Sequence, residues 1–150
     1  MNTLEQYISQ SQKETLNFGK QFSKRITLFP ACIFLEGPLG AGKTVFVRGM
    51  ANGLHPGASH NIKSPTFTII NTYTYKNYPF LIHADFYRLE TLDSIEINLV
   101  DYFYHHCIFA IEWPKVFKDF FLQNVIQAYN IGIKISNKNT RTFIIEKLPT

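Results

Sequence analysis

The residues Gly37-Pro38-Leu39-Gly40-Ala41-Gly42-Lys43-Thr44 match the spacing G-x-x-x-x-G-K-[ST], which is built to hold phosphate. Glycine lets successive backbone N–H groups turn inward around a diphosphate, and a helix beginning near Gly42 adds the positive end of its dipole. Lys43 then reaches the β- and γ-phosphates, and the Thr44 hydroxyl is placed to hold Mg2+. Pro38 removes one N–H at the second position, where that donor is least needed. A phosphate loop also requires an acid near the metal or the attacking water before it can hydrolyse anything. Two carboxylates qualify, each at the carboxyl end of an apolar run: Asp85 after Phe80–Ala84 and Glu112 after Cys107–Ile111. In an open parallel sheet that edge is where ligands sit. Glu112 is the better match to an apolar run ending in a metal-site acid, with Asp85 as the second carboxylate. Lys43, Asp85 and Glu112 are therefore the catalytic candidates, and Thr44, Asp85 and Glu112 the metal candidates.

His83 lies two residues before Asp85 and shares its face if the strand extends that far, so it reads as a structural hydrogen-bonding residue. His55, His60, His105 and His106 lack zinc-like spacing. Trp113 follows Glu112 directly; its ring suits stacking on a base or a partner, and equally suits packing. The nucleotide reads as ATP, because the guanine-reading pattern Asn-Lys-x-Asp has only Asn137-Lys138-Asn139-Thr140 as a counterpart. That string lacks the aspartate and falls in an expected hairpin turn. Two other readings use the same loop. A small-molecule kinase would bring several arginines to the transferring phosphate, but Arg25, Arg48, Arg88 and Arg141 are scattered. A nucleotide-gated RNA-binding module is compatible with the net charge of +4, yet the basic residues are dispersed rather than clustered.

The elements that must position these residues are legible in outline. Ser11 and Glu14 form a capping box for a helix carrying Leu16, Phe18 and Phe22, with Pro30 closing the segment. Ala31–Glu36 is a short apolar run leading straight into glycine, as a buried parallel strand does. A helix is expected over Lys43–Met50, stopped at Gly53. Thr66–Tyr75 and Phe80–Asp85 read as strands, joined as a hairpin through Lys76–Pro79. A short helix is expected over Thr91–Val100, a strand over Cys107–Ile111 that Pro114 prevents from continuing, and a short helix over Lys115–Leu122. Val125–Ser136 and Thr140–Lys147 read as a closing hairpin.

With 150 residues, 45% hydrophobic and no interrupting linker, the chain reads as one α/β domain over 1–150. It is expected to have a mixed sheet with parallel core strands, flanking helices and antiparallel strands, including the C-terminal hairpin. Every hydrophobic run is broken well short of the ~20 residues a membrane helix requires. The polar start lacks a secretory pattern, so a soluble cytoplasmic protein without membrane contact is expected. Cys32 and Cys107 could pair, but sitting in apolar runs they read as small buried hydrophobes.

Four strings in this order and spacing carry a family resemblance: Gly37–Thr44, Ser64-Pro65-Thr66-Phe67-Thr68, His83-Ala84-Asp85-Phe86-Tyr87-Arg88-Leu89, and Glu112-Trp113-Pro114. The chain resembles the bacterial TsaE family, from Glu14-Thr15 to Pro114. The resemblance implies a P-loop NTPase domain that is the ATPase subunit of the machinery making threonylcarbamoyladenosine in tRNA. It implies ATP and Mg2+ as cofactors, held by Gly37, Leu39, Gly40, Ala41, Gly42, Lys43 and Thr44. Asp85 and Glu112 are then the acids at the metal and catalytic water. Ser64 to Phe67, with Ser64 and Thr66 on the nucleotide side, form a switch-like loop, Trp113 belongs to the active-site motif, and Arg88 serves the switch or a partner contact. The implied partners are the catalytic transferase subunit and its dimerising companion subunit, with tRNA contacted only indirectly and hydrolysis slow without partners. The chain departs from the family at Pro38, where aspartate is usual, and at Lys115, where an acid often stands.

Overall fold

Ala31–Glu36 buries every side chain but its last, so it must be covered on both faces. In the computed structural model, which describes residues 4–91 and 99–150, this strand is central to a seven-stranded sheet. The strands are β1 (Leu4–Ser9), β2 (Ala31–Glu36), β3 (Ile70–Tyr75), β4 (Tyr78–Asp85), β5 (Ile108–Glu112), β6 (Gln127–Ile135) and β7 (Arg141–Leu148), in the order β1-β7-β6-β2-β5-β4-β3. β2 runs parallel to β5 and β6, and β4 parallel to β5. β3, β7 and β1 add antiparallel pairings at the two sides. The mixed sheet with a parallel core and the C-terminal hairpin agree with the sequence reading.

Helices α1 (Gln12–Ser23) and α2 (Lys43–Leu54) cover one face. There Phe18, Phe22, Phe46 and Phe143 pack with Ile33, Leu35 and Ile131, each large side chain contributing about 1.5–3 kcal/mol by burial. The short helix α3 (Lys118–Leu122) covers the other face, with Phe121 against Phe34, Phe86 and Phe109. The expected short helix over 115–122 is present as a 3-10 turn at Lys115–Phe117 leading into α3. Ser11 caps α1 by accepting from the Glu14 N–H, while the Glu14 carboxylate reaches back to the Gln10 N–H. Cys32 and Cys107 are buried and unpaired, and burial pushes the Cys107 thiol up to about 12.

Several boundaries differ from expectation. α1 ends at Ser23, well before Pro30. β1 has no counterpart in the sequence reading: mostly exposed and paired only to β7, it lacks the apolar alternation that would mark it. The run from Thr66 is not strand until Ile70. The Ile69 backbone turns at φ 69° and its carbonyl accepts the Asp85 N–H, so a tertiary contact overrides the β propensity of Thr66–Ile69. The hairpin turn is Lys76-Asn77 alone, both at positive φ, and Pro79 lies within β4 beside a register shift. The helix expected over 91–100 falls mostly on residues 92–98, outside the described residues.

Gly53 does not stop α2, which continues to Leu54. It serves close packing instead: a Cβ there would lie 2.7 Å from the Lys20 carbonyl oxygen. Gly49 is tighter still, since its Cβ would meet the Leu16 carbonyl oxygen at 2.1 Å. Gly49→Ala gains helix propensity yet forces α1 and α2 apart, so it is expected to lower stability by about 2 kcal/mol, read from the denaturant midpoint.

Candidate functional site

The loop Gly37–Gly42 leaves the carboxyl end of β2 and enters α2. Two of its glycines take left-handed backbone, Gly40 at φ 78° and Gly42 at φ 99°, conformations costly for other residues. Gly37 is demanded by proximity: a Cβ there would sit 2.9 Å from the Ile133 carbonyl oxygen. Gly42 caps α2 without any side-chain hydrogen bond, so the helix presents first-turn N–H groups that no capping side chain satisfies. These features suit an anion.

Asp85 ends β4 and Glu112 ends β5, and the two are direct partners in the parallel register, hence on one face. That face carries α2. Both are buried, as is Lys43 at 7% exposure. Asp85 Oδ1 accepts the Tyr87 N–H at 2.9 Å and Oδ2 the Thr66 hydroxyl at 3.4 Å. Glu112 Oε1 lies 2.8 Å from His83 Nε2. Lys43 donates to the Gly37 carbonyl at 2.6 Å and stands over the Trp113 ring, 5.0 Å from its centroid. Burial lowers the Lys43 pKa, and the charges of Glu112 and Asp85 act in the opposite direction.

A cleft of about 250 Å3 gathers nearly all the sequence candidates: Leu39, Gly40, Ala41, Gly42, Lys43, Thr44, Ser64, Thr66, Asp85, Glu112 and Trp113 line it. Gly37 stands behind it, bonded to Lys43. Ser64 and Thr66 share a hydroxyl–hydroxyl hydrogen bond of 2.8 Å. Trp113 holds φ 54°, a strained value for a bulky residue, with its ring edge-on to Tyr87 at 5.1 Å. Arg88 reaches over the Phe67 ring and, with Leu39, Tyr87 and Trp113, lines an adjoining apolar hollow. His83 is fully buried, and its bond to Glu112 agrees with the hydrogen-bonding role expected of it.

Other residues at the site carried no sequence signal. Gln12 and Val45 also line the cleft. On the far side of the loop, Arg141 donates to the Gly40 carbonyl at 3.3 Å. It lines a smaller recess with Ser11, Thr15, Lys138 and Asn139. The scattered arginines therefore include two, Arg88 and Arg141, that the fold brings to the loop. Lys138 and Asn139, from the string set aside as a hairpin turn, do lie in the β6–β7 turn, and that turn abuts the phosphate loop.

Comparison with known proteins gives a consistent picture. The sequence profile described as threonylcarbamoyl adenosine biosynthesis protein TsaE matches residues 9–143. A Haemophilus influenzae protein named tRNA threonylcarbamoyladenosine biosynthesis protein TsaE is 37% identical over 120 residues, covering 77% of this chain and 73% of that one. A Nostoc protein of the same name is 42% identical over 108 residues, covering 69% of this chain and 64% of that one. The crystal structure of YdiB from Bacillus subtilis superposes with a TM-score of 0.69 at 28% identity, covering 99% of this chain and 88% of that one.

Proposed function

Because the chain belongs to the TsaE family of threonylcarbamoyl adenosine biosynthesis proteins, we propose that it is a Mg2+-dependent ATPase, one domain over 1–150. In this reading it supports threonylcarbamoyl transfer to adenosine in tRNA as one subunit of a larger complex. The observation that carries the reading is the register pairing of Asp85 with Glu112 beside the buried Lys43 and the phosphate loop.

The residues fit the two cofactors. One hydroxyl and two carboxylates are hard oxygen donors, the set Mg2+ prefers when it keeps several waters and binds through phosphate. No cluster of three or more His, Cys, Asp or Glu that could hold a metal ion occurs among the described residues. The Gly40 and Gly42 backbone and the uncapped start of α2 suit the phosphate chain.

Bound Mg2+ would neutralise phosphate charge and help orient the chain of oxygens. Lys43 exchanges its bond to the Gly37 carbonyl for phosphate oxygen, a stronger charge-assisted bond. Thr44, Asp85 and Glu112 would hold the metal and its waters, and Glu112 accepts the proton from the attacking water. Ser64 and Thr66 couple that event to the 64–67 loop through the Thr66 hydroxyl on Asp85. Trp113 shields Lys43 from solvent on one side. The partners are the catalytic transferase subunit and its dimerising companion, and the proposed location is the cytoplasm; no helix among the described residues is long and apolar enough to cross a membrane.

Titration calorimetry with Mg2+ and adenine nucleotides tests the premise. Binding is expected, together with a change in fluorescence of the single tryptophan, Trp113, as Lys43 leaves its ring. Folded protein that gives neither heat nor a fluorescence change with ATP would refute the reading. Released inorganic phosphate, rather than phosphorylated acceptor, distinguishes hydrolysis from a kinase, and steep salt-dependent binding of tRNA by the isolated chain would favour the RNA-binding alternative.

A further inference from the structure

We propose that His83 is a positioning residue for Glu112, holding one oxygen of the carboxylate so that the other is directed into the cleft. The inference rests on the hydrolytic reading above.

His83 is completely buried in β4, and its Nε2 lies 2.8 Å from Glu112 Oε1 on β5. An ionised carboxylate only accepts, so in this bond Nε2 carries a proton and donates it. The bond is diagonal across the sheet. His83 faces Ala110 in the register, while Glu112 faces Asp85, one step further along that face. The small side chain of Ala110 leaves the imidazole free to lean toward the strand ends.

Nδ1 supplies the second half of the argument. It is buried and has no hydrogen-bond partner among the described residues. Leaving such an atom unsatisfied is costly, and a native protein that does so calls for an explanation. Among the described residues one nitrogen is left unpaired and the other is spent on Glu112.

The consequence lies in the freedom of a long side chain. Unrestrained, Glu112 would sample several rotamers, losing entropy each time it adopted the productive one. It could also turn toward the neighbouring Lys43 ammonium, which already senses its charge. Asp85 has no such freedom, because the Tyr87 N–H and the Thr66 hydroxyl hold its two oxygens. His83 gives Glu112 one fixed oxygen and leaves Oε2 for work in the cleft, the role that outer-shell partners play for metal-site carboxylates.

The test uses the full chain, with His83→Leu, His83→Gln and His83→Asn, each alone and the first also combined with Glu112→Gln. His83→Leu is expected to lower kcat for ATP roughly tenfold with ADP affinity unchanged, the scale of losing an outer-shell partner. Glutamine, whose amide N–H can reach Oε1, should recover most of that rate; asparagine, too short to do so, should not. In the Glu112→Gln background His83→Leu should add nothing further. A wild-type rate for His83→Leu, equal rates for the glutamine and asparagine variants, or a full additional loss in the double variant would each overturn the proposal.

Imidazole 15N spectra supply a readout independent of turnover: His83 is expected with a proton on Nε2, and an Nε2 that carries no proton would also overturn the proposal. Should the leucine variant not fold, the glutamine and asparagine pair and the spectra still decide. Wild-type protein that binds ATP but never hydrolyses it would remove the hydrolytic reading and this role with it. Normal wild-type turnover with an unaffected His83→Leu removes this role alone.

Discussion

Lys43→Ala is expected to lose nucleotide affinity by roughly 100-fold, the equivalent of about 3 kcal/mol for a charge-assisted contact to phosphate. The loss should appear in calorimetry with ADP as well as ATP, because Lys43 reaches the phosphate chain rather than the base. Normal affinity in the variant would remove Lys43 from the phosphate site. The same residue predicts a stability effect of defined sign. Burial places the Lys43 pKa below its ordinary 10.5, so the folded chain releases this proton at lower pH than the unfolded chain does. Between the lowered value and 10.5 the unfolded state therefore binds more protons at this site, and stability rises with pH. Thermal melts of wild type and Lys43→Met across that window should show wild type gaining on the variant. A falling difference would mean that the carboxylates, not burial, dominate the lysine's surroundings.

Glu112→Gln is expected to bind nucleotide within about threefold of wild type and to hydrolyse it at least 100-fold more slowly, the range for losing a general base. Gln keeps the shape and can still accept from His83 Nε2, while the charge that draws a proton from water is gone. The contrast between the two carboxylates makes this substitution the informative one. Asp85 is held at both oxygens by Tyr87 and Thr66, whereas His83 occupies only one oxygen of Glu112. Phosphate release under single-turnover conditions separates the chemical step from product loss. Retained activity would transfer the role to Asp85, and Asp85→Asn would then show the larger loss.

The phosphate loop could be read from spacing because its chemistry is local. Closely spaced glycines, a lysine and a threonine set the loop's backbone and the ligand proposed for it, and the flanking apolar run and helix follow from periodicity. Asp85 and Glu112 were legible for a related reason: a carboxylate ending an apolar run lies at the ligand edge of a parallel sheet whichever strand order is adopted. The Thr66–Ile69 turn and the edge strand β1 were not legible. Each depends on a partner distant in the chain, the Asp85 N–H in the first case and β7 in the second. Gly53 reads as a helix stop because a glycine near a helix end ordinarily signals one; its actual reason, the close approach of the α1 backbone, is a packing fact.

By itself the sequence determined the composition of the proposed site: the glycine-bearing loop, the two acids that end apolar runs and the helix that follows the loop, since these follow from short-range geometry and the period of the hydrophobic pattern. Tertiary structure alone decided how those groups engage one another. The parallel register sets Asp85 beside Glu112, the diagonal reach across Ala110 joins His83 to Glu112 Oε1, and the hairpin of β6 and β7 brings Arg141 to the Gly40 carbonyl. Register and strand order arise from burying both faces of one sheet at once, a condition on the whole chain that no local stretch of residues encodes.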